Sequence, residues 1–142
     1  MTTALYTAHA HVSGGRDGHG TTSDGRLDLD LRQPTEMGGD GEGTNPEQLF
    51  AIGYAACFGA SLALVARRTR RKADDAVIDS SVSLLPIEGG RFKLGVELRI
   101  ELPSADGEDA FDLVRAAHQV CPYSNATRDN IDVALVVNGV RM

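Results

Sequence analysis

Residues 43–71 read GTNPEQLFAIGYAACFGASLALVARRTRR, and the reading of this stretch decides the fold. Asn45 is a helix-capping residue type, Pro46 suits the first helical position, and Gln48 stands where a capping box needs its partner. Glu47 puts negative charge in the first turn, and Arg67, Arg68, Arg70 and Arg71 put positive charge in the last, both complementary to the helix dipole. Between them, residues 49–66 form a run of 18 residues without a charge. At about 1.5 Å per residue, the segment from Asn45 to Arg71 is roughly 40 Å long.

A run of that length could cross a membrane. Ten of the 18 residues are Ala, Gly, Ser or Cys, however, and the rest of the chain is polar and rich in strand patterns. The expectation is therefore a helix buried on all sides, with no membrane involved. Small residues four apart, such as Gly53 and Cys57, would let neighbouring backbones come close. Cys57 lies near the middle of the run and is one of 2 cysteines in the chain. On this stretch alone the favoured reading of Cys57 is a small core residue.

Composition narrows the classes. A chain of 142 residues is expected to form a single domain, 1–142, with one core. A net charge of −6 argues against a nucleic-acid partner, and the basic cluster at residues 67–72 is better read as a helix C-terminus. Two cysteines and no apolar N-terminal segment point to the cytoplasm, where a disulfide would be transient and functional.

Outward from the helix, residues 4–13 carry a strand signal, with His9 and His11 on one face. Two histidines at that spacing could begin a metal site, but no third or fourth ligand follows, so no metal is expected. Gly14-Gly15 breaks this strand, and Arg16-Asp17-Gly18 forms a glycine-flanked turn. Leu27, Leu29 and Leu31 alternate with Asp28 and Asp30, the pattern of a half-buried hairpin strand. Residues 32–44 form a glycine-rich loop leading into the helix, a place where pocket mouths are often shaped.

Beyond the helix, residues 77–88 and 91–102 read as two strands joined by Gly89-Gly90. Residues 107–120 have helical spacing and are stopped by Pro122, which follows Cys121. A polar turn, SNATRDN, then leads to a last strand at residues 133–137. The pattern is α+β: two helices and about six antiparallel strands.

Three segments together resemble one family. GGRDG around Arg16, GTNPEQLFAIGYAACF around Cys57 and VCPYSNATRDNI around Cys121 are similar to the signatures of the organic hydroperoxide resistance proteins, a branch of the OsmC-like superfamily. The resemblance covers essentially the whole chain. It implies an OsmC-like fold: an intertwined homodimer with antiparallel sheets, a long central helix carrying the reactive cysteine, and two sites per dimer. It implies a thiol peroxidase that reduces organic hydroperoxides to alcohols. Cys57 matches the peroxidatic cysteine, Cys121 the resolving cysteine, and Arg16 and Glu47 the pair that activates the sulfur. No bound cofactor is implied. The disulfide would be reduced from outside by a dihydrolipoyl dithiol carried on a lipoylated protein.

These roles make physical sense. A cysteine in apolar surroundings has a raised pKa and needs a cation beside it to ionise. Glu47 is almost three helical turns before Cys57, so its expected role is to hold the Arg16 guanidinium in a bidentate pair. Asp129 stands where the family usually has glycine and is expected to tolerate a left-handed turn. His19 has no assigned role. A competing reading from another class is a redox-sensing or lipid-binding module, in which the cysteines signal rather than turn over.

Overall fold

The structure, a computed structural model, describes residues 2–142. The chain resolves into two compact units, Met1–Leu49 and Phe50–Met142, and the division falls inside the long helix α1 (Pro46–Arg68).

The first unit holds a three-stranded antiparallel sheet in the order β1 (Ala10–Ser13), β2 (His19–Thr22), β3 (Asp28–Asp30). The strand expected over residues 4–13 is therefore shorter than its pattern. Pairing with β2 runs from Ala10↔Thr22 to Ser13↔His19, and residues before it have no ladder to join. Leu5, in this arm, is fully exposed at 104%. Leu31, just past β3, is buried and bridges Thr44, so both ends of the 32–44 loop are pinned together.

The cap of α1 is as expected on one side. Gln48 N–H donates to Asn45 Oδ1 at 2.9 Å. The reciprocal half of a capping box is absent, because the Gln48 side chain instead accepts the Thr44 hydroxyl at 2.8 Å. The helix stops in a Schellman motif: Arg71 N–H donates to Ala66 O and Arg70 N–H to Arg67 O, with Arg70 left-handed at φ 56°.

In the second unit a four-stranded sheet runs in the order β4 (Val77–Ile87), β5 (Arg91–Glu101), β6 (Val133–Val137), β7 (Val140–Arg141). The β4–β5 hairpin forms over 11 residues on each side, with Gly89 and Gly90 at φ 76° and 68°. Two expectations are corrected here. The β5–β6 pair is parallel, because the chain crosses over through α2 (Gly107–Val120) and α3 (Pro122–Thr127) before returning to the sheet. The polar segment after Cys121, expected as a turn, opens as the helix α3, with Pro122 stopping one helix and starting the next. The sequence pattern does not mark the short β7; Asn138 and Gly139, at φ 48° and 81°, turn the chain into it. Asp129 adopts the expected left-handed conformation at φ 61°.

The core lies where one face of α1 meets this sheet and α2. Tyr54, Phe58, Leu62 and Val65 pack among Leu98, Ile100 and Leu102 of the β5 region and Leu113 and Val114 of α2. Burying such side chains contributes about 1.5–3 kcal/mol each relative to exposure. Along β5, Val96, Leu98 and Ile100 face inward while Arg99 and Glu101 face out, as the alternation predicts. Helix α1 is not covered all round within the chain: Ile52 is 71% exposed. By length and composition α1 could cross a membrane, but the face just described belongs to a protein core.

Candidate active site

The Phe50–Met142 unit brings its two cysteines together across a separation of 64 residues. Cys57 lies on α1; Cys121 sits at the joint between α2 and α3, its N–H donating to Ala117 O at 2.9 Å. Both are free thiols, and the Cys121 Sγ approaches Cys57 Sγ to 3.6 Å. A disulfide needs about 2.05 Å, so the sulfurs touch and a small side-chain movement would join them. Cys121 is fully buried, whereas Cys57 is partly exposed. Burial pushes the Cys57 thiol above its ordinary value; the Tyr123 backbone N–H opposes this, and the neighbouring Cys121 thiol adds to it.

Packing explains the spacing on α1. A Cβ at Gly53 would lie 2.7 Å from Tyr123 Oη, so only glycine lets that ring settle against the helix one turn before Cys57. Phe50, Tyr54 and Tyr123 form an aromatic cluster there, with ring centroids 5.5 to 6.1 Å apart. These rings give the thiol pair apolar neighbours.

The Met1–Leu49 unit holds the other two expected residues. Arg16 Nη1 donates to Glu47 Oε2 at 2.8 Å and Arg16 Nη2 to Glu47 Oε1 at 2.6 Å, the expected bidentate pair. The guanidinium holds the Glu47 carboxyl below its usual range, and the carboxylate in turn raises Arg16. Arg16 is presented by a 3-10 turn, Gly15–Asp17, entered through Gly14 at φ 79°. Gly18 closes it: a Cβ there would fall 1.9 Å from Ser13 O.

Comparison with known proteins gives the family. Residues 39–136 match the family model described as OsmC-like protein. An organic hydroperoxide resistance protein of Xanthomonas axonopodis pv. citri is 55% identical over 135 residues, covering 94% of each chain. The chain belongs to the OsmC-like family, in its organic hydroperoxide resistance branch. The crystal structure of OhrB from Bacillus subtilis, an organic hydroperoxide resistance protein, superposes with a TM-score of 0.86 at 49% identity, covering 94% of this chain and 99% of that one. A Vibrio cholerae protein assigned to organic hydroperoxide resistance, solved with captopril in one of its active sites, gives 0.94 at 46% identity, covering 99% and 96%.

Some residues that support the Arg16 turn are not legible in the sequence. Arg32 is one: its guanidinium donates to Gly18 O at 2.9 Å and Leu31 O at 2.6 Å, tying the Arg16 turn to the strand beside it. Nothing in the sequence around Arg32 signals this, whereas the glycines of GGRDG do signal a constrained turn. His19 also finds a place, with Nε2 2.6 Å from Asp28 and Nδ1 3.0 Å from Asp30, which raise its pKa on an exposed sheet face. His9 and His11 are exposed, and among the described residues no three His, Cys, Asp or Glu side chains are placed to hold a metal ion.

Proposed function

We propose that this protein is a thiol peroxidase that reduces organic hydroperoxides, including those of fatty-acid type, with Cys57 as nucleophile and Cys121 as resolving thiol. Its place in the organic hydroperoxide resistance branch makes defence against oxidative stress its role. The observation that carries the mechanism is the pair of free thiols 3.6 Å apart, one partly exposed and one buried. A peroxide arriving from solvent meets Cys57 first.

The steps balance. The Cys57 thiolate attacks one peroxide oxygen and breaks the O–O bond; the alkoxide takes a proton and leaves as alcohol, and Cys57 becomes a sulfenic acid. The Cys121 sulfur then attacks the Cys57 sulfur, the hydroxyl leaves with the Cys121 proton as water, and a disulfide forms. An external dithiol of the dihydrolipoyl type, carried on a lipoylated protein, reduces it by two thiol–disulfide exchanges and leaves as a cyclic disulfide. No bound cofactor takes part.

Because burial raises the Cys57 thiol, the reading assigns Arg16 to stabilise its thiolate and Glu47 to orient Arg16. A homodimer is part of the same proposal: the uncovered apolar face of α1 and the unpaired arm before β1 both suit a second copy. Chemistry of this kind, cycling between thiols and a disulfide, suits the reducing cytoplasm. The test is a steady-state assay with cumene hydroperoxide, comparing dihydrolipoamide with thioredoxin as reductant. Turnover with dihydrolipoamide in excess over protein is expected; no turnover with any dithiol would overturn the reading in favour of a stoichiometric sensor.

A further inference from the structure

Behind the two sulfurs lies a chain of polar side chains that the peroxidase chemistry does not use. Tyr54, three residues before Cys57 on α1, is fully buried and places its Oη 2.8 Å from Ser124 Oγ and 3.2 Å from Thr127 Oγ1. Ser124 and Thr127 both lie on α3, just past Cys121. Ser124 Oγ is also 2.8 Å from His118 Nδ1, on the last turn of α2, three residues before Cys121. Arg128 then closes the segment on itself, donating to the His118 carbonyl and to Asn125 Oδ1.

The Tyr54 bonds cross from α1 to the Cys121 segment, and the others brace that segment internally. Helix α1 carries Cys57, and residues 118–128 carry Cys121. The only polar side-chain contacts among the described residues between α1 and that segment, apart from the thiols themselves, run through Tyr54 Oη. Ser124 is fully buried, so a lost partner could not be replaced by bulk water. Apolar packing alone would let α3 slide along α1, because dispersion has little direction. Hydrogen bonds at 2.8 Å do not permit that slide.

We propose that Tyr54, Ser124 and His118 form a clamp that holds the Cys121 segment in register with Cys57, making them positioning residues for the disulfide-forming step. The proposal rests on the peroxidase reading for its biological sense, but not for its test. From 3.6 Å to bonding distance the sulfurs need only side-chain rotation if the backbones are held. If they are not held, closure must also order the segment, and the effective concentration of one thiol at the other falls.

The test is the equilibrium of the Cys57–Cys121 pair with a reduced and oxidised dithiothreitol buffer, read by thiol trapping and mass spectrometry. Loss of one net hydrogen bond corresponds to roughly a tenfold change in an equilibrium constant, so Tyr54→Phe should lower the effective concentration by about tenfold. Ser124→Ala removes the same node from the other side and should match it, which keeps the test alive should one variant fold poorly. In a peroxide burst, Tyr54→Phe should form sulfenic acid at the wild-type rate but convert it to disulfide more slowly, with more sulfinic acid accumulating. An unchanged thiol–disulfide equilibrium in both variants would overturn the clamp. So would an equal shift in Leu113→Ala, a buried variant outside the network that loses stability without touching these hydroxyls. Wild type that forms no sulfenic acid would overturn the peroxidase reading instead, since the dithiothreitol equilibrium needs no peroxide.

Discussion

Glu47→Gln separates the positioning of Arg16 from the presence of Arg16. The carboxylate accepts two guanidinium N–H groups, at 2.8 and 2.6 Å. An amide of the same size keeps one acceptor and turns an NH2 toward a group that can only donate. Hydrogen bonds to charged groups contribute about 1.5–3 kcal/mol when desolvated. Here the Arg16 side chain is 33% exposed and that of Glu47 15%, so solvent screening applies. The expected loss is about 1–2 kcal/mol, or roughly 3–8 °C in Tm for a chain of this size. Arg16 depresses the Glu47 pKa, so the stabilisation is present above the unfolded value near 4.5 and is lost as pH falls through the folded value. The gap between wild type and Glu47→Gln should therefore be full at neutral pH and shrink below about pH 4. Kinetics give the sharper result. If Glu47 acts only through Arg16, then Arg16→Ala/Glu47→Gln should have the same kcat/KM for cumene hydroperoxide as Arg16→Ala alone. Losses that simply add would refute the idea that the two residues act as one device.

Three further outcomes are expected. Cys57→Ser should abolish turnover, while Cys121→Ser should react once and progress toward sulfinic acid, as mass spectrometry after one equivalent of cumene hydroperoxide would reveal; turnover in Cys57→Ser would sink the assignment. In a Cys121→Ser background, Arg16→Ala should raise the Cys57 pKa by about one to three units, with an equivalent loss of rate at neutral pH. The pH dependence of alkylation measures it, and an unchanged profile would remove Arg16 as the activator. Organic hydroperoxides should outperform hydrogen peroxide in kcat/KM by about one to three orders of magnitude, since each buried methylene contributes about 0.8 kcal/mol; equal efficiencies would mean that the apolar surroundings of Cys57 take no part in binding.

What could be read in the sequence follows from how local the causes are. The α1 cap at Asn45, the β4–β5 hairpin at Gly89-Gly90 and the in–out alternation of β5 depend on neighbours in sequence, and each formed as expected. The parallel pairing of β6 depends on where a crossover returns the chain, which no pattern within Val133–Val137 encodes. Residues 4–8 have a strand composition, but among the described residues the pairing with β2 ends at Ala10 and the Ser23 N–H to His9 O bond, so the pattern overran the ladder. Helix α3 was missed because Ser, Asn and Thr are turn formers by propensity; burial of Ser124 and Thr127 against Tyr54 overrides that. The pairing of Arg16 with Glu47 and the meeting of Cys57 with Cys121 were expected only because three motifs matched a family. Separations of 31 and 64 residues carry no such signal by themselves.

On the proposed reading, the uncharged run of α1 is also the reason a distant arginine is needed. Residues 49–66 bring no charge. Within the Phe50–Met142 unit, the Cys57 sulfur meets burial, a second thiol and one backbone N–H, and burial outweighs the N–H. If Cys57 is the nucleophile proposed here, these apolar surroundings work against it, since a cysteine reacts as thiolate. The proposed peroxidase reading therefore asks for a cation from outside this run, already oriented. A guanidinium meets both needs. Two of the five Arg16 N–H groups are taken by Glu47, which leaves three donors and a fixed plane. On that proposed reading, a lysine would have to divide one compact charge between the carboxylate and a thiolate, whereas a planar fork offers separate donors for each.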